Sequence, residues 1–444
     1  MQIVIIGAEA AGMSAAAKAR RTAPDADITV FEQGSVVSFG ACGLPYFVGG
    51  FFDDASYMAE RSVEQFRESG IDLRTAHQVL KVDPARKAIT VRDLSEGREF
   101  VQPYDKLMVA TGASVVRPPI EGLDLERVHF VKTLEDGLTL RRLAERKECQ
   151  DVVVIGAGYI GLEMVEALHE QGKRVRLIEL AERVLAESFD EEVSELIQQE
   201  LTRKGIAMHL GEKVRALKGQ LAVEQVTTDK GSYPADLVIV ATGVRPTTAF
   251  LDDSGLDRLE NGAIVIDDQG RSSEPDIYAA GDCATVFHRI RQQPVYIPLA
   301  TTANKLGRLI GENLCGAQKR FPGTLGSAAV KVLGVEAGRT GVSEQEAKAL
   351  GRDTKTVVIN DKNTTNYVPN QQDLRIKLIY DAKTKVILGG QVAGGLGAVL
   401  RVDTLAAAIH GGMTTEDLGM LDLCYAPPFA RTWDALNVAG NVAK

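Results

Sequence analysis

At 444 residues the chain is too long for one ordinary core and should divide into about two or three domains. Its 45% hydrophobic and 25% charged residues describe a folded globular protein, and a formal charge of −9 opposes the clustered cations a nucleic-acid binder needs. No apolar stretch approaches the roughly 20 residues that span a bilayer, and the opening MQIVIIGAEAAG lacks the basic start of a secretory signal, so the expected location is the cytoplasm.

The apolar run Gln2 to Ile6 predicts a strand, followed by a glycine-containing turn, a small-residue helix from about Ala10 to Arg21 and a second strand, Ile28 to Phe31, ending at Glu32. This is the βαβ order of a dinucleotide fold, in which the turn sets a helix N-terminus against a pyrophosphate and the acid accepts from a ribose hydroxyl. The turn GAEAAG keeps Gly7 and Gly12 but places Glu9 where the middle glycine of G-x-G-x-x-G belongs. A carboxylate at the point of closest approach to phosphate weakens the match. Lys18 and Arg21, three apart on the helix, share a face and by themselves read as solvated charges.

Next comes SFGACGLPYFVGG, Ser38 to Gly50, a cramped apolar stretch around Cys42. Taken alone, such a cysteine is a small buried apolar residue. The segment ATGASVVRPP, Ala110 to Pro119, follows an apolar strand and ends in a turn, as if leaving a nucleotide domain. A second fingerprint, DVVVIGAGYIGLE, sets Gly156, Gly158 and Gly161 in full register between a strand and a helix, with the following strand, Val175 to Ile178, closing on Glu179. A carboxylate there bonds the adenosine ribose and repels a 2′-phosphate, which favours NADH over NADPH; Arg183 nearby can soften that preference.

ATGVRP, Ala241 to Pro246, marks a second exit, and SEPDIYAAGDCA leads a strand into Gly281 and Asp282, which suit sugar or polyol hydroxyls. The order predicts nesting: a first nucleotide domain over residues 1–118 and 249–321, interrupted by a second over 119–248. In the remainder, 322–444, Val330 to Val332 and Leu374 to Tyr380 read as strands and Val399 to His410 as a helix, without a nucleotide motif. The fold class is therefore α/β, two nested Rossmann-like three-layer domains plus a C-terminal α+β domain suited to a structural or interface role. Cys42, Cys149, Cys283, Cys315 and Cys424 form no CxxC and the histidines are scattered, so free thiols and no metal are expected.

In this order, GAEAAG, SFGACGLPY, ATGA, GAGYIGLE, ATGVRP and YAAGDCA resemble, over essentially the whole chain, the FAD-dependent pyridine nucleotide–disulfide oxidoreductases. The resemblance is greatest to their single-cysteine branch, the coenzyme A disulfide reductases and CoA persulfide reductases, which commonly depart from the middle glycine of the first turn. It implies FAD against Gly7, Ala8, Ala10, Ala11, Gly12, Glu32 and Gln33. Ser38, Val79, Thr111, Gly112, Gly281 and Asp282 would line the same cofactor, with Pro298, Leu299 and Ala300. It implies NADH, with NADPH as second candidate, against Gly156, Gly158, Ile160, Gly161, Glu179 and Gly243. Tyr159 would gate the nicotinamide and Glu163 would orient its amide.

The resemblance further implies coenzyme A as substrate or bound thiol, held by Ser14, Lys18, Arg21, Ser38, Asn304, Lys305 and Arg308. It implies a homodimer in which Leu423 to Ala430 reaches the partner's active site, so that Tyr425 and Tyr367 could donate to a departing thiolate; core packing is the other reading of these tyrosines. Two-cysteine members carry C-x-x-x-x-C, but here Phe47 stands five positions after Cys42. Cys42 must then pair with a small external thiol or cycle through a sulfenic acid, and a thiolate beside a flavin and a helix N-terminus is expected to have a lowered pKa. The expected function is NAD(P)H-dependent reduction of CoA disulfide, CoA persulfide or polysulfide. NADH oxidase or peroxidase chemistry through a sulfenic acid is the alternative, opposed by Ala10 where those enzymes place a histidine; a flavoprotein redox sensor is a third reading.

Overall fold

The computed structural model describes residues 1–444 and contains three five-stranded sheets. The first is parallel, in the order Ile277–Ala279, Lys106–Val109, Gln2–Ile6, Asp27–Phe31, Asp72–Arg74. Its central strand is a continuous apolar run because both faces are covered: Ile3 and Ile5 are fully buried, and Ile3 sits in register between Ile28 and Lys106. The second sheet repeats the plan with Val128–His129, Leu237–Val240, Asp151–Ile155, Arg174–Ile178 and Ala207–His209.

Each parallel sheet is accompanied by an antiparallel three-stranded meander, His77–Asp83 with Ala88–Asp93 and Glu99–Pro103 in one case, Val214–Lys218 with Gln225–Thr228 and Ser232–Pro234 in the other. The chain leaves the first sheet through Ala113–Val115 and returns through Val244–Pro246, and these two segments pair antiparallel, Val115 against Val244. Ile277–Ala279 then rejoins the first sheet beside Lys106–Val109.

Both glycine turns have the same construction. A side chain on Gly12 would lie 1.9 Å from the Gly7 carbonyl oxygen, and one on Gly161 would lie 1.9 Å from that of Gly156, so only glycine lets these helices start so close to their strands. At the middle position the fold makes no such demand. A side chain on Gly158 would meet nothing within 4 Å, and Glu9 has a similar extended backbone, φ −99° against −79°. Glycine there serves a ligand rather than protein packing, which is how Glu9 is accommodated without strain.

The helices Ala10–Thr22 and Ala300–Asn313 lie almost backbone to backbone, since Gly307 and Gly311 face the carbonyls of Ala11 and Ala15. The third sheet is antiparallel, in the order Ala328–Val332, Val335–Gly341, Ile387–Gly394, Asp373–Asp381, Thr354–Lys362, and the helix Ala398–Gly411 packs on it through Val402 and Leu405. Around it Leu396, Leu400, Met420, Phe429 and Trp433 are exposed. No helix is long and apolar enough to cross a membrane.

Candidate active site

The glycine turns are held from below by the acids that end the second strand of each domain. Glu32 accepts from the Ala8 amide at 2.9 Å and the Gly34 amide at 2.8 Å; Glu179 accepts from Ala157 at 2.6 Å and Ala181 at 2.8 Å. Each carboxylate oxygen keeps a second lone pair for a sugar hydroxyl. Gly112 and Gly243 sit at φ +63° and +107° with nothing within 4 Å of where a side chain would be, as at Gly158, so backbone lines open space at these points. The Tyr296 hydroxyl is buried beside Asp282 and has no protein partner. Open glycine cradles, a ribose-directed acid in each domain and an orphaned phenol fit a flavin nucleotide in the first domain and a pyridine nucleotide in the second.

Cys42 stands in a single 3₁₀ turn, Ala41–Gly43, as an exposed free thiol. The short helix Leu44–Val48 that follows pins the turn, Leu44 and Phe47 being buried. Phe47 packs on Phe52 with ring centroids 5.6 Å apart and lies under the Arg141 guanidinium, so a core aromatic fills the position a resolving thiol would need. All five cysteines are free thiols.

The ionisable groups facing Cys42 are Glu163, Asp282 and Lys132. Partial burial pushes its thiol up from the ordinary range, Glu163 and Asp282 push it further, and Lys132 opposes them. A backbone hydrogen bond at the turn opposes the shift together with Lys132, but burial and the two carboxylates outweigh them. The protein groups by themselves thus favour the thiol, and the lowered pKa expected beside a bound flavin would have to come from the cofactor.

Glu9 is ringed by protein, which with Glu32 and Asp282 drives its carboxyl up to about 7 against the pull of Lys132. Burial, with Glu166 adding, drives Glu163 up to about 7 as well, and Asp282 is raised by burial. Lys132 is thus the one cation shared by Cys42, Glu9 and Asp282, and sequence reading missed it. It lies just before the helix Leu134–Ala144, its amide donating to Asp136 in the helix cap at 3.0 Å, and no motif marks it.

Tyr159 and Glu163, four apart, share a face of the helix Tyr159–Glu170, and the Tyr159 ring lies against Phe189 at 6.3 Å. Glu163 also lines a crevice with Pro45, Tyr46 and Phe51. Arg183 is turned inward, donating to the carbonyls of Phe189 and Ala186 and the Ser194 hydroxyl, so it is committed to its own loop; the expected softening of the NADH preference loses its donor.

On the outer face of the helix pair, Ser14 donates to Asn304 at 2.8 Å and Lys18 pairs with Glu312 at 2.8 Å. Arg21, Lys305 and Arg308 are exposed and make no ion pair. Tyr367 and Tyr425 are brought together on the C-terminal domain, hydroxyls 3.4 Å apart and both rings exposed, and neither is among the groups facing Cys42 of the same chain. Arg401 was not anticipated. Buried, it pairs with Asp434 at 2.7 Å and donates to the carbonyls of Asn363 and Phe429, tying both tyrosine-bearing segments to one point.

Residues 1–307 match the family model described as pyridine nucleotide-disulphide oxidoreductase, and residues 327–436 match the dimerisation domain of the same family. The NAD(P)H coenzyme A polysulfide/persulfide reductase of Pyrococcus horikoshii is 40% identical over 443 residues, 100% of this chain and 98% of that protein. A NAD-dependent persulfide reductase from A. fulgidus superposes with a TM-score of 0.96 at 36% identity, over 100% of this chain and 83% of the other. The water-forming NADH oxidase of Lactobacillus brevis bound to NADH superposes at 0.95 with 34% identity, over 100% and 98%.

Proposed function

Because this chain belongs to the pyridine nucleotide-disulphide oxidoreductase family, we propose that it spends NAD(P)H to reduce a coenzyme A-bound sulfur, as CoA disulfide, CoA persulfide or polysulfide, through Cys42 alone. CoA disulfide, NADH and a proton give two CoA thiols and NAD⁺; a CoA persulfide gives one CoA thiol, hydrogen sulfide and NAD⁺. The observation that carries the reading is Phe47: with the second sulfur position filled by a packed ring, any disulfide at Cys42 must be with a small molecule. The relatives named for CoA-dependent sulfur reduction support it.

The first domain is read as 1–118 with 249–321, the second as 119–248, and the dimerisation domain as 322–444. Gly7, Gly12, Glu32, Gly112, Gly281 and Asp282 would hold FAD, and Gly156, Gly158, Gly161, Glu179 and Gly243 the pyridine nucleotide. Bound flavin supplies the two-electron relay between nicotinamide and sulfur. The chain's residues do the positioning. Tyr159 covers the nicotinamide site until NADH displaces it, and Glu163, one turn on, orients the amide.

Cys42 attacks the substrate S–S bond, forming a mixed disulfide and expelling a thiolate or hydrosulfide. Lys132 is the charge that stabilises its thiolate. Tyr425, paired with Tyr367, extends to the partner subunit's groove and donates a proton to the leaving sulfur. Ser14, Lys18, Arg21, Asn304, Lys305 and Arg308 offer a basic, hydrogen-bonding face for the CoA nucleotide. The working unit is a cytoplasmic homodimer.

Steady-state NADH oxidation with CoA disulfide, CoA persulfide or air alone tests this, alongside Cys42→Ser. CoA-dependent turnover should vanish in the variant; full retention removes Cys42 from the chemistry. The likeness to a water-forming NADH oxidase carries a second reading, and consumption of NADH only in air would install it, although Ala10 leaves that chemistry without its histidine.

A further inference from the structure

The loop that seats Tyr159 is fastened by side chains of the C-terminal domain, far away in sequence. This loop, residues 183–190, lies between the strand Arg174–Ile178 and the helix Glu191–Arg203. Its Leu185 amide donates to the Ala157 carbonyl of the glycine turn at 2.9 Å, and its Phe189 ring faces Tyr159. The polar groups facing the Tyr159 phenol are Ser188, Arg339 and Glu163.

On each side of Phe189 the loop is gripped. Arg339, on the strand Val335–Gly341, donates to the Ser188 carbonyl at 2.6 Å and to Glu346 at 2.6 Å. Gln391 clasps Asp190 twice, donating to its carboxylate at 2.8 Å and accepting from its amide at 3.0 Å. Lys377, 2% exposed, closes the knot against Glu192 at 2.9 Å, Glu344 at 2.8 Å and Asp190 at 3.4 Å. Buried charges of this kind return little net stability for their desolvation, yet each unit fits one arrangement only. An apolar contact would hold the two domains together equally well but would not fix the height of Phe189 against Tyr159.

We propose that Arg339, Lys377 and Gln391 are positioning residues for the nicotinamide gate: by clamping Ser188 and Asp190 they hold Phe189 as the seat of Tyr159 and so set the cost of opening the site to NADH. A closed gate subtracts from apparent affinity in proportion to its population. Loosening the seat therefore lowers KM for NADH while leaving turnover at saturating NADH nearly unchanged.

The inference rests on the reading of Tyr159 as the gate, and the variants separate the two ideas. In the purified holoenzyme, Arg339→Met and Gln391→Met should each lower the KM for NADH about fivefold, with kcat within twofold. Arg339→Lys, which keeps one donor, should restore most of it. Tyr159→Ala should lower KM by itself, and adding Arg339→Met to it should then do nothing more. Arg339→Met acting by the same factor with and without Tyr159 overturns the clamp but keeps the gate; an unmoved KM in Tyr159→Ala overturns both. Gln391→Met removes no charge, so it keeps the test open if Arg339→Met fails to fold, and a fall in melting temperature with an unchanged KM in both reduces the network to a structural joint.

Discussion

On the proposed reading Cys42 is a nucleophile, and its protein surroundings work against its thiolate. Burial, Glu163 and Asp282 all favour the protonated form, while a backbone hydrogen bond and Lys132 resist, so reactivity should climb with pH. In the flavin-free protein, alkylation of Cys42 by iodoacetamide, followed by peptide mass spectrometry, is expected to titrate above the roughly 8.5 of an ordinary thiol, and Lys132→Met should move the midpoint higher still. A midpoint below that of an ordinary thiol would contradict this reading. Glu9 and Glu163 give a second pH dependence. Both are raised in the folded protein to about 7 from an unfolded value near 4.5, so folding takes up protons. Their contribution to stability is complete below about 4.5 and is lost as pH rises through about 7. Thermal melts between those limits should show the decline, and Glu9→Gln should flatten part of it. At this scale the sequence was partly legible. The glycine and acid positions follow from steric and hydrogen-bonding needs that only those residue types meet, whereas Lys132 and the inward turn of Arg183 depend on which way one side chain swings, which no local pattern encodes.

Among elements, the informative case is the pair of loops carrying Tyr367 and Tyr425. Neither has regular structure of its own, and their common anchor is the Arg401 side chain on the helix Ala398–Gly411. Removing one partner of a buried ion pair costs roughly 3–5 kcal/mol. Arg401→Met is therefore expected to lower the melting temperature and to abolish CoA-dependent turnover, while stopped-flow reduction by NADH, which uses the other domains, stays near its original rate. Equal loss in both half-reactions would show that the knot supports the whole molecule instead. The helix itself is readable from its apolar run, but its role as an anchor is not, because Arg401, Asn363, Phe429 and Asp434 meet only in three dimensions.

For the molecule as a whole, one parallel sheet with its antiparallel meander occurs twice, and the third, antiparallel sheet locks to the second copy through Arg339, Lys377 and Gln391. The repetition was legible because both copies need the same glycine register; the lock was not, since its partners stand 151 to 201 positions apart. Exposed Phe429 and Trp433 flank the tyrosine loop on the dimerisation domain. Trp433→Arg should shift the protein toward monomer in sedimentation velocity and suppress sulfur reduction in proportion to the monomer fraction, because the reading gives each groove a tyrosine from its partner.

The ring of Phe47 has a consequence for what this protein is when reductant runs out. A two-thiol relative can store its oxidised state internally as a closed loop; here a disulfide at this sulfur ties it to something diffusible. Idle molecules should therefore weigh more than working ones by the mass of one acylation cofactor, making the intact mass of the chain a gauge of how well its surroundings are supplied with electrons.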